Sequence, residues 1–162
     1  MKKLRQVLPA KSAGFTLIEL LVVIGVIAIL AAIVLVAVNP GRQFASARDS
    51  QRRSDLYSLT NAVYQFAAEH NGNLPDTDAD DATSNFPSAS TCIGDVSPCF
   101  DLAAAGNAAA TETVAPTYIA SMPQDPSTGT AANTQYSIYE DANGRVVASA
   151  SGELTATITV TR

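Results

Sequence analysis

The longest apolar stretch of the chain lies near its start, where residues 15–38 read FTLIELLVVIGVIAILAAIVLVAV. Thr16 and Glu19 are its only polar side chains, and residues 20–38 contain neither a charge nor an amide. A helix of this length spans roughly the 30 Å hydrocarbon core of a bilayer, at about 1.5 Å per residue. The pattern therefore predicts one membrane-crossing helix.

A different pattern follows over residues 42–70, where apolar side chains return at helical spacing. The stripe repeats at i, i+3, i+7 and i+10 and comprises Leu56, Leu59, Val63 and Phe66. This spacing predicts an amphipathic helix that packs its stripe against a sheet, and the HNG sequence at residues 70–72 predicts its end. The first turns, rich in Arg and Ser, are expected to be solvated or to contact neighbouring subunits.

The end of the chain alternates apolar and polar residues, as β-strands do. Three such runs, residues 135–140, 145–150 and 154–160, are separated by turn residues at 143–144 and 151–152. They predict an antiparallel β-meander over residues 135–162, after a loop region at 71–134. The expected fold class is α+β: a long N-terminal helix, transmembrane in its first half, whose second half packs on a small antiparallel sheet of three or four strands.

Asn39, Pro40 and Gly41 interrupt the two helical patterns. Proline lacks a backbone N–H and disfavours helix in the residue before it, and glycine costs about 1 kcal/mol relative to alanine in a helix. Pro40 and Gly41 therefore predict a kink or local unwinding. A plain boundary, where the apolar helix leaves the membrane, explains the same residues equally well.

Charge divides the chain as sharply as hydropathy does. The first 14 residues carry four cations and no acid, whereas residues 54–162 carry 13 acids and two arginines. An acidic head repels phosphate groups, so direct nucleic-acid binding is not expected. Cations flank the apolar stretch on both sides, so the positive-inside rule leaves its orientation open.

Candidate chemical groups are few. His70 is the only histidine and lies at a predicted helix end, where a capping role is expected; no nucleotide-binding or two-histidine metal motif occurs, so neither an enzyme nor a cofactor is predicted. Asp76, Asp78 and Asp80 have the spacing of a calcium loop, but the glycine and glutamate that should follow are absent, so no metal site is predicted.

The two cysteines, Cys92 and Cys99, enclose six residues. In an exported domain such a spacing favours a structural disulfide, and two thiols are too few for a structural zinc site. A pair of reduced, buried cysteines is the alternative.

Glu19 is the residue of the apolar stretch that requires an explanation. A carboxylate at membrane depth is costly unless it is shallow, protonated or paired, and residues 15–38 contain no cation. Proteolysis between Gly14 and Phe15 would create an ammonium group four residues before Glu19, within reach of this carboxylate or of a neighbour's. Alternatively, Glu19 reaches the membrane interface and has no specific role.

Residues 11–21, KSAGFTLIELL, resemble the processing and methylation motif of type IV prepilins and type II secretion pseudopilins. The resemblance implies a cleaved leader at residues 1–14, with prepilin peptidase cutting between Gly14 and Phe15 and methylating the new amine of Phe15. It implies that Glu19 guides docking by pairing with the amine of an adjacent subunit. Residues 15–38 would then form the filament-core helix, 39–70 its continuation and 71–162 the head.

The same resemblance implies the partners and the location. They are prepilin peptidase, copies of the chain and other pilins in a helical filament, and an inner-membrane assembly platform with a separate ATPase. The chain would be a single-pass protein of the cytoplasmic membrane with an exterior head, and later part of a surface or periplasm-spanning filament. A pilus subunit is the first hypothesis and a secretion pseudopilin the second.

A third hypothesis comes from a different class of protein, a signal-anchored exterior binding domain that never polymerises. The ASA sequence at residues 45–47 resembles a signal-peptidase site, which would make the mature chain begin at Arg48. The apolar run of 24 residues exceeds the about 7–15 residues of a usual signal peptide, which disfavours that cleavage.

A weaker resemblance involves the segment from Tyr118 to Pro126, which is similar to the region before the sheet in major secretion pseudopilins. Those proteins often continue with Trp-Gly and a calcium site, whereas Ser127 and Thr128 stand here and the chain has no tryptophan. The metal is therefore not carried over. Many type IV pilins close a C-terminal loop with a disulfide, but both cysteines here precede the predicted sheet.

Overall fold

Two helices open the described part of the chain. The computed structural model describes residues 14–78, 84–107, 109 and 111–162, and it divides into two units, Met1–Pro40 and Gly41–Arg162. Helix α1 runs over Leu17–Val38 and helix α2 over Pro40–Glu69. The predicted leader, apart from Gly14, lies outside the described residues.

Helix α1 is apolar on all sides, and none of its 22 residues, all of them described, is buried. By length and composition it is suited to cross a membrane, with a mean hydropathy of 3.4. Asn39 ends it in the left-handed conformation, with φ 40°. Pro40 is the first residue of α2, a position where proline loses no helical hydrogen bond, and Gly41 lies in its first turn.

Helix α2 buries the predicted stripe. Leu56, Leu59 and Val63 are fully buried and Phe66 nearly so. After Glu69, Asn71 and Gly72 adopt positive φ, and the Gly72 N–H donates to the Ala67 carbonyl at 2.8 Å, which satisfies the helix end.

A four-stranded antiparallel sheet completes the head, in the order β1-β2-β3-β4. Its strands are β1 (Thr91–Cys92), β2 (Tyr136–Glu140), β3 (Val146–Ser151) and β4 (Thr157–Thr161). Ile138 faces Thr91 on one side and Ala148 on the other, and Ala148 also pairs with Val160. This confirms the predicted α+β layout of a long N-terminal helix and a small antiparallel sheet.

One strand boundary was predicted wrongly. The alternation suggested a third strand over residues 154–160, but β4 begins at Thr157 and Leu154 is half exposed. Residues 152–156 form a loop instead, because the N–H groups of Glu153 and Leu154 donate to the Asp49 carboxylate at 2.8 and 2.9 Å. Backbone groups committed to a side chain are not available for a strand ladder.

One core joins α2 to the sheet and to the long loop region. It combines Leu56, Leu59 and Val63 of α2 with strand residues such as Tyr136, Ile138 and Ala148. The loop region adds Phe86, Ile93, Phe100, Leu102, Ala105 and Val114. The loop region predicted at 71–134 therefore contributes a substantial part of the apolar interior. Within it, Val114–Tyr118 makes a turn in which Ala115 is extended (φ −111°, ψ 135°) and the Ile119 N–H donates to the Val114 carbonyl at 3.1 Å.

Candidate functional site

The start of α1 is built by two side chains that cap each other. Thr16 adopts an extended conformation, and its hydroxyl oxygen accepts the Glu19 N–H at 3.3 Å. One carboxylate oxygen of Glu19 accepts both the backbone N–H and the hydroxyl of Thr16, each at 2.8 Å. This reciprocal arrangement is a capping box, which satisfies N–H groups that a helix start leaves without partners.

The capping box changes the interpretation of Glu19. The sequence suggested a carboxylate in need of a cation, and the structure gives it two neutral donors on Thr16. Thr16 is thus a site residue that sequence reasoning missed, although the T-x-x-E spacing of residues 16–19 signals it. The cap holds the carboxylate at the backbone N–H of Thr16, one residue after Phe15, whose nitrogen would become the new amine if the chain were cut after Gly14.

The residues on either side of the predicted cut are open to solvent. Phe15 is 90% exposed, and a Cβ added to Gly14 would meet no described atom within 4 Å. Among the described residues, packing therefore gives no reason for glycine at this position.

Comparison with known protein families identifies this segment. Residues 9–35 match the family model described as the prokaryotic N-terminal methylation motif. The chain carries the prepilin cleavage and methylation signal. Neither the search of curated proteins nor that of solved structures found a match.

The methylation motif includes Gly14, Phe15 and Glu19 and extends through most of α1. It supports a processed subunit of the type IV pilin or pseudopilin kind. It implies processing by prepilin peptidase, and α1 fits a single-pass anchor of such a subunit. Pilins of this kind are structural subunits rather than enzymes.

The head contains a second organised group of charges, centred on Arg52 of α2, whose side chain is 4% exposed. Its guanidinium group donates to Asp125 at 2.5 and 3.3 Å, to Asp49 at 2.8 Å and to Glu153 at 3.0 Å. Ser127 accepts a further bond at 3.0 Å. We call Arg52 and these three carboxylates the Arg52 cluster.

The Arg52 cluster ties two distant segments to helix α2, which itself contributes Asp49. Asp125 belongs to the segment that precedes the sheet, where it also accepts the N–H groups of Ser127 and Thr128. Glu153 belongs to the loop between β3 and β4 and binds Arg48 as well, at 2.5 and 2.6 Å. Because the buried cation is fully paired, its desolvation is compensated.

The cluster shifts the acidity of its members. Hydrogen bonds from Arg48, opposed by burial and reinforced by Arg52, lower the pKa of Glu153 to about 2. Burial acts to raise the pKa of Asp125, but bonds from Arg52, Ser127 and Thr128 outweigh it and the pKa falls below its ordinary value. The same balance lowers the pKa of Asp49, where the N–H groups of Glu153 and Leu154 and the Arg52 side chain overcome burial.

This cluster corrects one expectation from the sequence. The arginine-rich turns of α2 were expected to be solvated or to contact neighbours, but Arg52 is buried and Arg48 is paired within the head. Sequence alone showed no link between α2 and residues more than 70 positions away. Arg53, the next residue, is exposed as expected.

Beside the cluster, Tyr136 of β2 donates its hydroxyl to Asp55 of α2 at 2.7 Å. Gln51 donates to the other oxygen of Asp55 at 2.7 Å. Burial and the neighbouring Asp55 carboxylate raise the pKa of Tyr136 above its ordinary value, so it stays a hydrogen-bond donor. This pair fixes the helix to the second strand inside the core.

The other residues that the sequence singled out, the two cysteines and His70, make contacts that stabilise the fold. Cys92 and Cys99 form a disulfide, rather than the alternative pair of reduced thiols, which closes a short loop next to β1. His70 lies just beyond α2, where its Nδ1 lies 2.8 Å from the Phe66 carbonyl and its ring stacks on Phe66. Both contacts belong to the helix end.

No metal centre emerges from the part of the chain that the structure describes. Within it, no group of three or more His, Cys, Asp or Glu side chains is placed to hold an ion. Asp80, the third residue of the calcium-like spacing, lies outside the described residues. The carboxylates of the Arg52 cluster already share one guanidinium group.

Proposed function

We propose that this protein is a structural subunit of a type IV pilus-like filament, cut by prepilin peptidase between Gly14 and Phe15 and methylated on Phe15. The methylation motif at residues 9–35 carries the proposal. It ends inside a helix that has no buried residue among those described. A secretion pseudopilin would share these features, so the proposal concerns assembly rather than the machine that the filament serves.

The physical basis for assembly is the apolar surface of α1. Leucine, isoleucine and valine side chains are stable against lipid tails and equally stable against other helices in a water-free filament core. Exposed side chains such as Leu21, Ile27 and Leu35 retain more than half of their accessible surface in the single chain. Subunits can therefore wait in the membrane and later bury the same surface against one another.

Glu19 supplies the proposed specificity of docking. The carboxylate is held by Thr16 at the start of α1 and has no cation within residues 15–38. After cleavage, the amine of Phe15 in an adjacent subunit would be the cation that neutralises it. An ion pair in a low-dielectric filament core is much stronger than one in water, which would favour one axial register between subunits.

The first test is mass spectrometry of the protein from native membranes and from filaments sheared off cells. All three lysines, Lys2, Lys3 and Lys11, precede the proposed cut. The processed chain would therefore carry a single amine, on Phe15. Trypsin would release residues 15–42 from the processed chain and residues 12–42 from the intact one.

The N-terminus then separates prepilin processing, which a pilin and a pseudopilin share, from a cleaved signal peptide and from a static anchor. An N-methylated Phe15 supports the proposal, and reductive methylation with a heavy reagent would add one further methyl group to it. A chain beginning at Arg48 would identify a cleaved signal peptide, and an intact Met1 would identify a static anchor. A bulky substitution such as Gly14→Phe should leave the leader attached, and efficient cutting of that variant would contradict the peptidase assignment.

A further inference from the structure

An apolar pocket of about 300 Å³ opens on the head, at a distance in sequence from the methylation motif and outside the Arg52 cluster. Its lining includes the apolar side chains of Ile93, Leu102 and Met122. Two carboxylates, Asp95 and Asp101, also line it. Leu102 is fully buried at this site, whereas Asp95 is exposed and Asp101 half-buried.

The walls of this pocket are fixed before any ligand binds. Backbone hydrogen bonds join Asp95 to Ala131 at 3.0 Å and Thr134 to Ile93 at 2.8 Å, and the Cys92–Cys99 disulfide closes the loop on one side. Gly94 is packed so closely that an added Cβ would lie 2.2 Å from the Ala132 carbonyl oxygen. A pre-formed pocket loses little entropy on binding.

The lining selects for a particular kind of ligand. An apolar interior stabilises an aromatic or aliphatic body, and two carboxylates stabilise a cation attached to it. The matching group on a protein is an arginine next to an exposed aromatic side chain.

The head itself presents such a pair on another surface. Arg48, Arg52 and Arg145 are engaged by carboxylates of the same chain. Arg42 is exposed and has contacts of its own. Of the other arginines among the described residues, Arg53 and Arg162 are exposed and form no such ion pair. Arg53 has an exposed aromatic one turn away on α2.

That aromatic is Tyr57, which is 47% exposed. Residues four apart lie on the same face of a helix, so Arg53 and Tyr57 form one cationic and aromatic patch. Arg162 lies just after β4, where its carbonyl accepts the Tyr64 hydroxyl, but Tyr64 is partly buried and packed against the core, so it offers a smaller exposed aromatic surface than Tyr57 does. The charge and the shape of the pocket therefore favour the patch on α2.

We propose that the pocket of one copy receives Tyr57 and Arg53 of a second copy, with Tyr57 against the partly exposed Ala103 and Met122 and Arg53 beside Asp95 and Asp101. The inference rests on the proposed filament function and names one contact within it. It also accounts for how acidic heads associate, since residues 15–162 carry six cations and 15 acids, a net charge of 6 − 15 = −9. Each such contact places a cation between two carboxylates.

The geometry of the contact matches a filament. The pocket and the Arg53–Tyr57 patch are different surfaces of one molecule, so the contact is heterologous. Heterologous contacts propagate from copy to copy and give rings or open helices, whereas a self-complementary patch would stop at a dimer. A chain with both surfaces can therefore bind a neighbour on each side.

A charge swap tests the contact in cells that make filaments. We expect Arg53→Asp alone, and Asp95→Arg with Asp101→Arg, each to reduce filament yield about tenfold or more, because like charges would face each other. Combining all three substitutions in one chain should restore the yield to within about threefold of wild type. Arg162→Asp makes the same charge change at another exposed arginine that forms no ion pair, and it should leave the yield unchanged.

Two results of the swap would overturn the contact. Arg53→Asp, or Asp95→Arg with Asp101→Arg, could leave filament yield at the wild-type level, which would show that these charges do not meet. The combined chain could also remain as deficient as its parents, which would show that they meet other partners. Detecting methylated Phe15 in each variant would confirm that processing had proceeded normally.

A photo-crosslink gives a second measurement that does not depend on assembly. Benzoylphenylalanine in place of Tyr57 should yield, on irradiation of native membranes, a product of twice the mass of one chain. A protease specific for Asp and Glu should map the crosslink to residues 93–103 or 121–134. Trypsin is unsuitable because residues 54–145 contain no internal cleavage site.

The crosslink also separates the two proposals. A crosslink to another protein, or to a segment of this chain outside the pocket, would overturn the contact. Retention of Met1 by the wild-type chain would contradict the filament function, and the crosslink would still report whether the patch and the pocket meet.

Discussion

Helices α1 and α2 follow each other in the chain but differ in burial. None of the 22 residues of α1 is buried in the described structure, whereas eleven of the 30 residues of α2 are. The uniform hydropathy of α1 leaves no side that the chain itself covers, and the stripe of α2 is covered completely. A helix that is apolar on all sides therefore indicates burial against other molecules, whereas a helix with one apolar stripe indicates packing against its own chain.

The charges of the two helices differ in the same way. Glu19 of α1 is bound by neutral donors of Thr16, and no cation occurs in residues 15–38. Arg52 of α2 meets three carboxylates of its own chain. The charges of the Arg52 cluster are therefore paired within one molecule, whereas we propose that the cation for Glu19 is the amine of Phe15 in an adjacent subunit.

The largest effect is expected at Glu19. Glu19→Gln keeps an oxygen that can accept the Thr16 bonds, since glutamine also completes a capping box, but it removes the charge. We expect filament yield to fall about tenfold or more, with cleavage at Gly14 unchanged, as measured by shearing and by N-terminal mass spectrometry.

Two further variants separate the charge from the cap. Thr16→Ala removes the capping hydroxyl and keeps the carboxylate, so its assembly defect should be much smaller. Glu19→Ala removes both and should assemble no better than Glu19→Gln. Normal filament yield from Glu19→Gln would show that the cap, and not the charge, is what assembly needs.

In α2, replacing the buried cation should destabilise the head. Arg52→Met leaves Asp49, Asp125 and Glu153 without their shared partner, so the free energy of unfolding should fall by about 3–5 kcal/mol. Chemical denaturation of the full chain in detergent, followed by the ellipticity of the head, measures it. Arg53→Met, at the exposed neighbour, should change stability by no more than about 0.5 kcal/mol.

A matched pair of leucines compares the two helices directly. Leu59→Ala in α2 creates a cavity in the core and should lower the free energy of unfolding by about 2–5 kcal/mol. Leu30→Ala in α1 removes the same atoms from a side chain that is 55% exposed and should leave head unfolding within about 0.5 kcal/mol of wild type. Equal losses would mean that α1 packs in the folding unit of the head.

Lowering the pH should weaken the Arg52 cluster and so decrease the free energy of unfolding of the head. The pKa of Glu153 falls from its ordinary 4.5 to about 2 on folding, so the unfolded chain binds more protons between these values. The contribution of Glu153 to the free energy of unfolding is fully present above about pH 4.5 and is lost as the pH falls towards about 2. The lowered pKa values of Asp49 and Asp125 act in the same direction.

Glu153→Gln provides the control for this pH dependence. It removes one titrating group and should flatten the decline in stability at acid pH, as measured by the denaturation midpoint at a series of pH values. An unchanged slope would assign the acid sensitivity to carboxylates outside the cluster.

Local sequence patterns determined the features that depend only on neighbours along the chain. The apolar run, the stripe from Leu56 to Phe66 and the methylation motif each lie within a few helical turns. Spacing along a helix determines which side chains share a face, so these features could be predicted without a fold. The Thr16–Glu19 cap is of the same local kind and was missed although its spacing is visible.

Only the tertiary structure decided which distant groups meet. Arg52 and Asp125 are 73 positions apart, and nothing local marks Arg52 as buried and Arg53 as exposed. The start of β4 likewise depended on Asp49 taking the N–H groups of the preceding loop. The sequence by itself thus determined the two helices, the strands of the meander apart from the start of β4, and the processing signal. The fold decided the Arg52 cluster and the head pocket, because each is assembled from segments that are close only after the core has formed.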